Sequence, residues 1–165
     1  MQKIKEFSLN FLFKISNHPV LLRDLLEANA LFNEDMLIDP AKLNFKMKHL
    51  NAYFYYGILC LMILLPLLLI THYFFTLLDF HISIISAVLV TAFVFVGFDL
   101  FKIYTRKIIS KKLIKKAWDL HFPCFDYEKY SKIVEEIYKD ALKNEASKIN
   151  LEQYVLEKIV EDHSK

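Results

Sequence analysis

The sequence predicts an all-α integral membrane protein, a two-helix transmembrane hairpin with amphipathic cytoplasmic helices at both ends. Two observations support this prediction. The chain is apolar and poor in turn-forming residues, with a mean hydropathy of +0.28 and only two Gly and four Pro among 165 residues. Its charges also lie in blocks around two long uncharged runs. So few Gly and Pro exclude folds that need many tight reversals, and two Cys exclude a disulfide framework.

The charge blocks divide the chain into three segments. Residues 1–51 hold seven Lys or Arg and six Asp or Glu, whereas residues 52–99 hold no base and only two acids, Asp79 and Asp99. Residues 100–118 hold seven bases and no acid, and eleven acids lie in the rest of the chain. We therefore expect N-terminal cytoplasmic helices at 1–51, a transmembrane hairpin at 52–101 and C-terminal cytoplasmic helices at 102–165.

The N-terminal segment is predicted to form two helices before the first span. Apolar residues at helical spacing begin at Ile4. Asn17 followed by Pro19 is typical of a helix start, so a second helix is expected from there. In the same way, Asp39 followed by Pro40 predicts the start of the helix that becomes the first span.

Two uncharged runs are each long enough to cross a membrane as a helix. A hydrocarbon core of about 30 Å needs about 20 helical residues at about 1.5 Å per residue, and residues 52–71 and 82–101 each supply that number. The remaining chain is too short to bury two helices that are apolar on all sides. A short external turn at 72–81 joins the spans, and Pro66 is expected to kink the first one.

Basic residues lie only at the outer ends of the pair of spans, before the first span and after the second. Lys42, Lys46 and Lys48 precede the first span and seven bases follow the second, but the connection between the spans has none. By the positive-inside rule, both termini are expected in the cytoplasm. Abundant Lys, Ile, Phe and Asn with rare Gly favour an AT-rich bacterial genome as the source, which predicts a multi-pass protein of the inner (plasma) membrane.

A basic collar follows the second span at residues 102–116. Bases beside a span are attracted to anionic headgroups by about 1 kcal/mol each. We therefore predict that the bilayer, rather than nucleic acid, is the partner of this segment. The collar is also expected to extend the second span as an amphipathic helix until Pro123. Two further helices are predicted after it: one with an apolar seam at Tyr127, Tyr130, Val134, Ile137 and Ala141, and a last one capped near Asn150. The predicted headgroup contacts are Lys102, Arg106, Lys107, Lys111, Lys112, Lys115 and Lys116.

Asp99 is the one ionisable residue placed inside a predicted span. It lies about 3 Å from the predicted cytoplasmic end and one turn from Lys102. An ion pair at the interface is therefore the favoured interpretation. The alternative is a charge at the inner mouth of an oligomeric pore, since charges deep in a membrane mark ion paths.

Ser83, Ala87 and Thr91 recur every four residues on one face of the second span. Small residues at this spacing let helices approach closely in lipid. The seam is therefore predicted to pack on another helix. That helix is either the first span of the same chain, which the short connection favours, or a span of a second copy.

No pattern typical of an enzyme or a metal site stands out in the sequence. His72, Asp79 and His81 at the external turn are a bare minimum of ligands for zinc, at a spacing that is not typical of a zinc site. His121 and Cys124 supply only two of the three or four ligands that zinc needs. We therefore expect no catalytic residues, no metal and no cofactor.

The leading functional hypothesis is a non-enzymatic accessory or scaffold subunit of a membrane complex. The predicted N-terminal and C-terminal cytoplasmic helices carry more apolar surface than a monomer of this size is expected to bury. This surplus favours a protein partner, or a homo-oligomer formed through the cytoplasmic helices. An oligomeric channel or transporter subunit is one alternative, and a membrane-bound enzyme without a sequence-local signature is another.

Overall fold

The computed structural model describes residues 2–75, 80–143 and 151–163. Within these ranges the chain is mostly helical, with six α-helices and one two-stranded ribbon. The predicted helical class is therefore confirmed, with the ribbon as an addition. The chain is helical through Phe75 and again from Phe80, so the predicted external turn at 72–81 is too long at both ends. Residues 76–79 of that turn, and the predicted start of the last helix at Asn150, lie outside the described residues.

The chain divides into two compact units, each assembled from separate parts of the sequence. We call the first the hairpin unit (Met1–Lys14 and Met47–Arg106) and the second the core unit (Ile15–Lys46 and Lys107–Lys165). The units therefore do not coincide with the three segments defined by charge. Each unit contains residues that precede the apolar runs and residues that follow them.

The hairpin unit contains two long apolar helices. They are α3 (His49–Phe75) and the first part of α4 (Phe80–His121). Helix α3 remains helical through Pro66. Helix α4 continues without interruption from the second apolar run through the basic collar and ends before Pro123, which confirms the prediction for this segment.

The N-terminal helix α1 (Gln2–Leu12) packs against the start of α3. Asn51 Nδ2 donates to the Phe11 carbonyl at 2.8 Å, and Lys48 Nζ donates to the Asn10 carbonyl at 3.1 Å. The last carbonyls of a helix have no partner within it. Side chains at and just before the start of α3 therefore donate hydrogen bonds to free carbonyls at the C-terminal end of α1.

The core unit contains α2 (Leu22–Asn33), α5 (Tyr127–Lys143), α6 (Leu151–His163) and the last part of α4. Helix α5 contacts both α2 and α6, and α2 also contacts α6. The buried face of α5 recurs every three or four residues, which is the spacing of one helix face. Its large members are Tyr127, Tyr130, Val134 and Tyr138.

Trp118 closes the turn between α4 and α5. Its side chain is fully buried, with ring centroids 4.7 Å from Phe122 and 5.3 Å from Tyr127. The indole N–H donates to the Phe125 carbonyl at 2.7 Å. A buried indole needs such an acceptor, so one residue both fills the core and fixes the backbone after Pro123.

Two short strands form a ribbon that the sequence patterns did not predict. They are β1 (Phe13–Ile15) and β2 (Phe45–Met47), and they pair with each other. Two backbone hydrogen bonds of 2.8 Å flank the pair and give it an antiparallel direction. The bonds run from the Lys48 N–H to the Leu12 carbonyl and from the Ser16 N–H to the Asn44 carbonyl.

The predicted start of the second helix at Asn17 is wrong. Helix α2 begins at Leu22, and its N-cap residue makes no side-chain capping bond. Asn44 Nδ2 donates to the carbonyls of His18 and Pro19 at 3.3 Å each. Because a residue distant in sequence takes these carbonyls, the segment stays outside the helix.

The predicted helix start at Asp39 and Pro40 is also wrong, since α3 begins at His49. Asp39 Oδ1 accepts the Ala41 N–H at 2.9 Å, which is an Asx turn rather than a helix cap. Asn44 then adopts a positive φ of 54°, a left-handed conformation that Asn tolerates better than most residues. The chain therefore turns into β2 before the helix begins.

Candidate functional site

The two long apolar helices expose their side chains along most of their length. His49–Leu69 and Ile84–His121 contain windows apolar enough to cross a membrane, with 6% and 0% of those windows buried in the protein. A core helix of a soluble protein is largely buried. The exposure is thus compatible with helices that could span a membrane.

An aromatic cluster joins α3 to α4 at one end. Tyr53 stacks on Phe98 with ring centroids 4.6 Å apart, and Tyr56 contacts Phe98 at 5.2 Å and Phe101 at 5.4 Å. These offset and tilted arrangements are the favourable ones for aromatic rings. The helices are therefore held together here by large side chains rather than by small ones.

Tyr56 reaches α4 because residue 97 is glycine. The Tyr56 hydroxyl donates to the Val94 carbonyl at 2.9 Å. A Cβ on Gly97 would lie 2.4 Å from Tyr56 Oη, closer than atoms can approach without a shift. The sequence analysis missed this contact, although Gly97 is one of only two glycines in the chain.

The Ser83–Ala87–Thr91 seam does not carry the described contacts between α3 and α4. Ala87 and Thr91 are exposed, and the Thr91 hydroxyl donates to the Ala87 carbonyl of its own helix at 2.8 Å. The side chain of Ser83 lies outside the described part of the protein. Packing of the seam on another helix stays a prediction.

Asp99 forms the ion pair expected from its spacing to Lys102. The Lys102 Nζ lies 2.6 Å from Asp99 Oδ1, and the same ammonium lies 4.9 Å from the Phe98 ring centroid. The lysine thus holds the carboxylate within one turn of the helix. This pairing favours the interfacial interpretation of Asp99 over a bare charge in a pore.

The apolar face of the collar is buried against protein. The sequence predicted an amphipathic helix here without saying what covers its apolar face, and in the core unit that face is shielded from water. The predicted contact of the collar with lipid headgroups therefore concerns only its basic side chains. The buried residues of this face are Ile109, Ser110, Leu113, Ile114, Ala117 and Trp118.

Two collar lysines form ion pairs inside the core unit. Lys107 pairs with Asp35, which follows α2, and Lys115 pairs with Glu128 at the start of α5. The Lys115 ammonium also lies 5.4 Å from the ring centroid of Tyr127. These bases therefore connect α4 to its neighbouring elements.

The other collar bases have varied surroundings. Arg106 is half-buried, whereas Lys111, Lys112 and Lys116 are exposed. Lys111 lies near enough to Glu128 to lower the pKa of that carboxyl. Headgroup contact of all seven collar bases stays a prediction.

Charge and burial shift several pKa values in the core unit. The hydrogen bond and charge of Lys115 lower the pKa of Glu128. Hydrogen bonds to Glu135 and Glu34 raise the pKa of Lys139, whose Nζ lies 2.5 Å and 2.6 Å from their carboxylates. Lys139 and Glu34 are partly exposed and water screens their pair, so this pair connects α5 to the end of α2 more than it stabilises the unit.

An open pocket of about 170 Å³ lies in the core unit between the segment before α2 and the last turns of α4. His121 Nε2 lies 2.8 Å from the Val20 carbonyl and joins the two sides. Apolar side chains share the lining with Ser16, His18 and Lys116. Sequence reasoning missed this pocket because its two walls are about a hundred residues apart.

The described residues contain no group of three or more His, Cys, Asp or Glu placed to hold a metal. Of the sets considered from the sequence, Asp79 and the side chains of His72 and His81 lie outside the description. His121 is engaged with Val20, and Cys124 is exposed.

Comparison with protein-family models, with curated proteins and with solved structures gives no match for this chain.

Proposed function

We propose that this chain is an integral protein of the bacterial inner membrane and a non-enzymatic accessory or scaffold subunit of a membrane complex. Its two spans form a hairpin with both termini in the cytoplasm. The observation that supports membrane insertion is the exposure of apolar side chains along α3 and α4. Water disfavours such a surface by about 25 cal/mol for each Å² of apolar area, whereas lipid accepts it.

The core unit supplies the scaffold in this proposal. Its aromatic core around Trp118 and its ion pairs between helices give it a defined surface. Much of the apolar surface of α2, α5 and α6 is buried inside the unit. The surface left for a protein partner is therefore smaller than the sequence alone suggests.

The partner surface that we favour lies beside the open pocket. Leu21 and Leu120 are both exposed, and each is adjacent in sequence to one member of the Val20–His121 contact. Lys116 and His18 lie among the lining residues of the pocket. An apolar centre with a polar rim is typical of protein interfaces.

The test is purification of the tagged full chain from its native cells in mild detergent, with mass spectrometry of co-purifying proteins. We expect a partner in a fixed ratio to the chain, reduced severalfold by Leu120→Glu. Leu142→Glu is the matched control, because Leu142 is an exposed leucine on α5. A chain that purifies alone after chemical cross-linking in the cell contradicts the scaffold proposal.

The channel alternative is tested with the same purified protein. Liposomes that contain the chain should show no ion flux if it is a scaffold. Flux that Asp99→Asn alters would instead support a pore with Asp99 at its inner mouth.

A further inference from the structure

Helix α1 buries one apolar face and leaves another exposed. Leu9 and Leu12 are buried, whereas Phe7 is 72% exposed. Phe7 and the half-buried Phe11 are four residues apart, so they share a face of the helix that the two leucines do not occupy. Packing inside the hairpin unit thus covers only part of the apolar surface of α1.

Two contacts give the direction of α1 along α3, and both helices belong to the hairpin unit. Asn51 Nδ2 donates to the Phe11 carbonyl at 2.8 Å, and Ser8 Oγ lies 3.3 Å from Tyr55 Oη. The second contact lies one turn earlier in α1 and one turn later in α3. The two helices therefore run antiparallel.

The backbone at the end of α1 agrees with this direction. The Lys48 N–H, just before α3, donates to the carbonyl of Leu12, the last residue of α1, at 2.8 Å. Three successive levels of α1, at residues 12, 11 and 8, thus meet three successive levels at residues 48, 51 and 55.

The N-terminal part of α1 is therefore directed along the apolar run of α3. Tyr55 lies three residues, or about 4.5 Å of helix, beyond the predicted start of the span at residue 52. The six residues of α1 before Ser8 extend up to about 9 Å further in the same direction.

Tyrosines mark the level on α3 at which Ser8 makes its contact. Tyr53, Tyr55 and Tyr56 lie at the start of the apolar run, and tyrosine is enriched where a span enters the headgroup region. Phe7 precedes Ser8, and helical side chains slant toward the N-terminus of their own helix. In a membrane that α3 crosses, the Phe7 ring is thus directed from the headgroup level toward the acyl chains.

The charged residues and the length of α1 suit this level too. Lys3 and Glu6 are exposed, and charges deep in the hydrocarbon core are costly. Near its boundary, a lysine can extend its ammonium to the headgroups while its methylene stem stays among apolar groups. Eleven residues are also too few to cross a bilayer. These properties are typical of a helix at the membrane surface.

From these observations we infer that α1 is an interfacial helix, whose Phe7 side chain inserts into the cytoplasmic leaflet of the bilayer that α3 crosses. The inference rests on the proposed membrane insertion and adds a peripheral lipid contact to the two spans. The partner is a lipid surface, with headgroups at Lys3 and acyl chains at Phe7. The sequence alone predicted a cytoplasmic helix here, and the contacts with α3 are what favour the lipid boundary.

The test measures the surroundings of one residue at a time in the full chain. In a Cys60→Ala, Cys124→Ala background, a polarity-sensitive fluorophore is attached to the single cysteine of Phe7→Cys, Lys14→Cys or Leu61→Cys. The proteins are placed in vesicles of phosphatidylcholine with phosphatidylglycerol. Lys14 is the matched control, because it is exposed and follows the opposite end of α1 in the same unit. Leu61 is an exposed position in the apolar run of α3.

We expect the label at residue 7 to emit at shorter wavelength than the label at residue 14. A quencher attached to the acyl chain near its headgroup end should reduce the emission at residue 7 severalfold more than at residue 14. A quencher near the methyl end of the chain should act more strongly on residue 61 than on residue 7, because α1 enters only the boundary of the leaflet.

Equal water exposure at residues 7 and 14 would overturn the inference while leaving the spans intact, provided that the label at residue 61 is quenched by lipid. Equal lipid quenching at residues 7 and 14 would overturn it too, because the contact would then not follow the direction of α1. A label at residue 7 that neither water nor lipid reaches would also overturn it, since a protein surface would then cover Phe7. A water-exposed label at residue 61 would instead refute membrane insertion, and the α1 contact with it.

Discussion

At the scale of single residues, one glycine and one tyrosine decide how the two long apolar helices meet. Tyr56 crosses to α4 only because Gly97 lacks a Cβ, and its hydroxyl then reaches the Val94 carbonyl. In lipid, apolar faces gain little from meeting each other, so close approach and hydrogen bonds carry the association. The Tyr56–Gly97 contact is thus a more specific feature than the general apolarity around it.

We expect Gly97→Ala to destabilise the pairing of α3 with α4. The new Cβ displaces the Tyr56 ring, which loses its hydrogen bond to Val94. Overpacking of this kind costs about 1–3 kcal/mol, measured as a lower midpoint of thermal unfolding in detergent.

The neighbouring variants make this test specific. Gly57→Ala is the matched control, because a Cβ there meets nothing within 4 Å. Tyr56→Phe should restore most of the stability of Gly97→Ala, since the nearest remaining ring atom is then 3.6 Å from the Cβ. Equal stability of the Gly97→Ala and Gly57→Ala proteins would contradict the contact.

Tyr127 should make the core unit sensitive to alkaline pH. Burial, and to a lesser degree the negative charge of Glu128, raise its pKa from 10.0 to about 12. Below pH 10 the tyrosine is protonated in both folded and unfolded chains, so its contribution to stability is complete. Between pH 10 and about 12 the unfolded chain releases the proton first, which removes about 1–2 kcal/mol of stability, less than the whole shift because water screens the partly buried hydroxyl.

Denaturant unfolding followed by circular dichroism at several alkaline pH values measures this loss. Tyr127→Phe should flatten the decline between pH 10 and about 12, whereas Tyr104→Phe, at an exposed tyrosine, should not. A Tyr127→Phe protein that follows the wild-type decline would show that another group is responsible.

At the scale of elements, α5 shows how far a sequence repeat predicts a buried face. The repeat predicted a seam through Tyr127, Tyr130, Val134, Ile137 and Ala141. Four of these residues are buried, but Ile137 is only half-buried and Tyr138 is buried beside it. Asn29 and Asn33 of α2 both donate to the Ser131 carbonyl of α5, at 2.7 Å and 3.3 Å, so contacts with α2 also bear on which face of α5 is buried.

Alanine substitutions on α5 should distinguish its buried face from the sequence seam. Val134→Ala removes fully buried methyl groups and should cost about 2 kcal/mol. Ile137→Ala should cost about 1 kcal/mol or less, although it removes more atoms, because its side chain remains partly in water. Trp118, the one tryptophan in the chain and fully buried, reports unfolding by fluorescence. A larger cost for Ile137→Ala would favour the sequence seam.

At the scale of the whole molecule, the chain combines a hairpin unit rich in exposed apolar surface with a core unit that has its own buried interior. The positive-inside rule applies to the bases beside the apolar runs, which precede the first run and follow the second, with none between the two. The predicted orientation therefore depends on the flanking lysines and not on the fold of the core unit.

Fusions to topology reporters should give the same answer at the two ends of the chain. A reporter active only in the cytoplasm is expected to work when fused at either Met1 or Lys165. A reporter active only in the periplasm should work when inserted between residues 72 and 81. Opposite signals at the two termini would contradict a hairpin with both ends in the cytoplasm.

The sequence alone determined the two long apolar helices, the basic collar and the end of α4 before Pro123, because hydropathy, charge and a helix-breaking proline act locally. The tertiary structure decided where α2 and α3 begin, because distant Asn44 holds the carbonyls of His18 and Pro19. It also decided that the collar buries its apolar face against protein. A periodic pattern shows that a helix has an apolar face, but contacts from other parts of the chain determine what covers it.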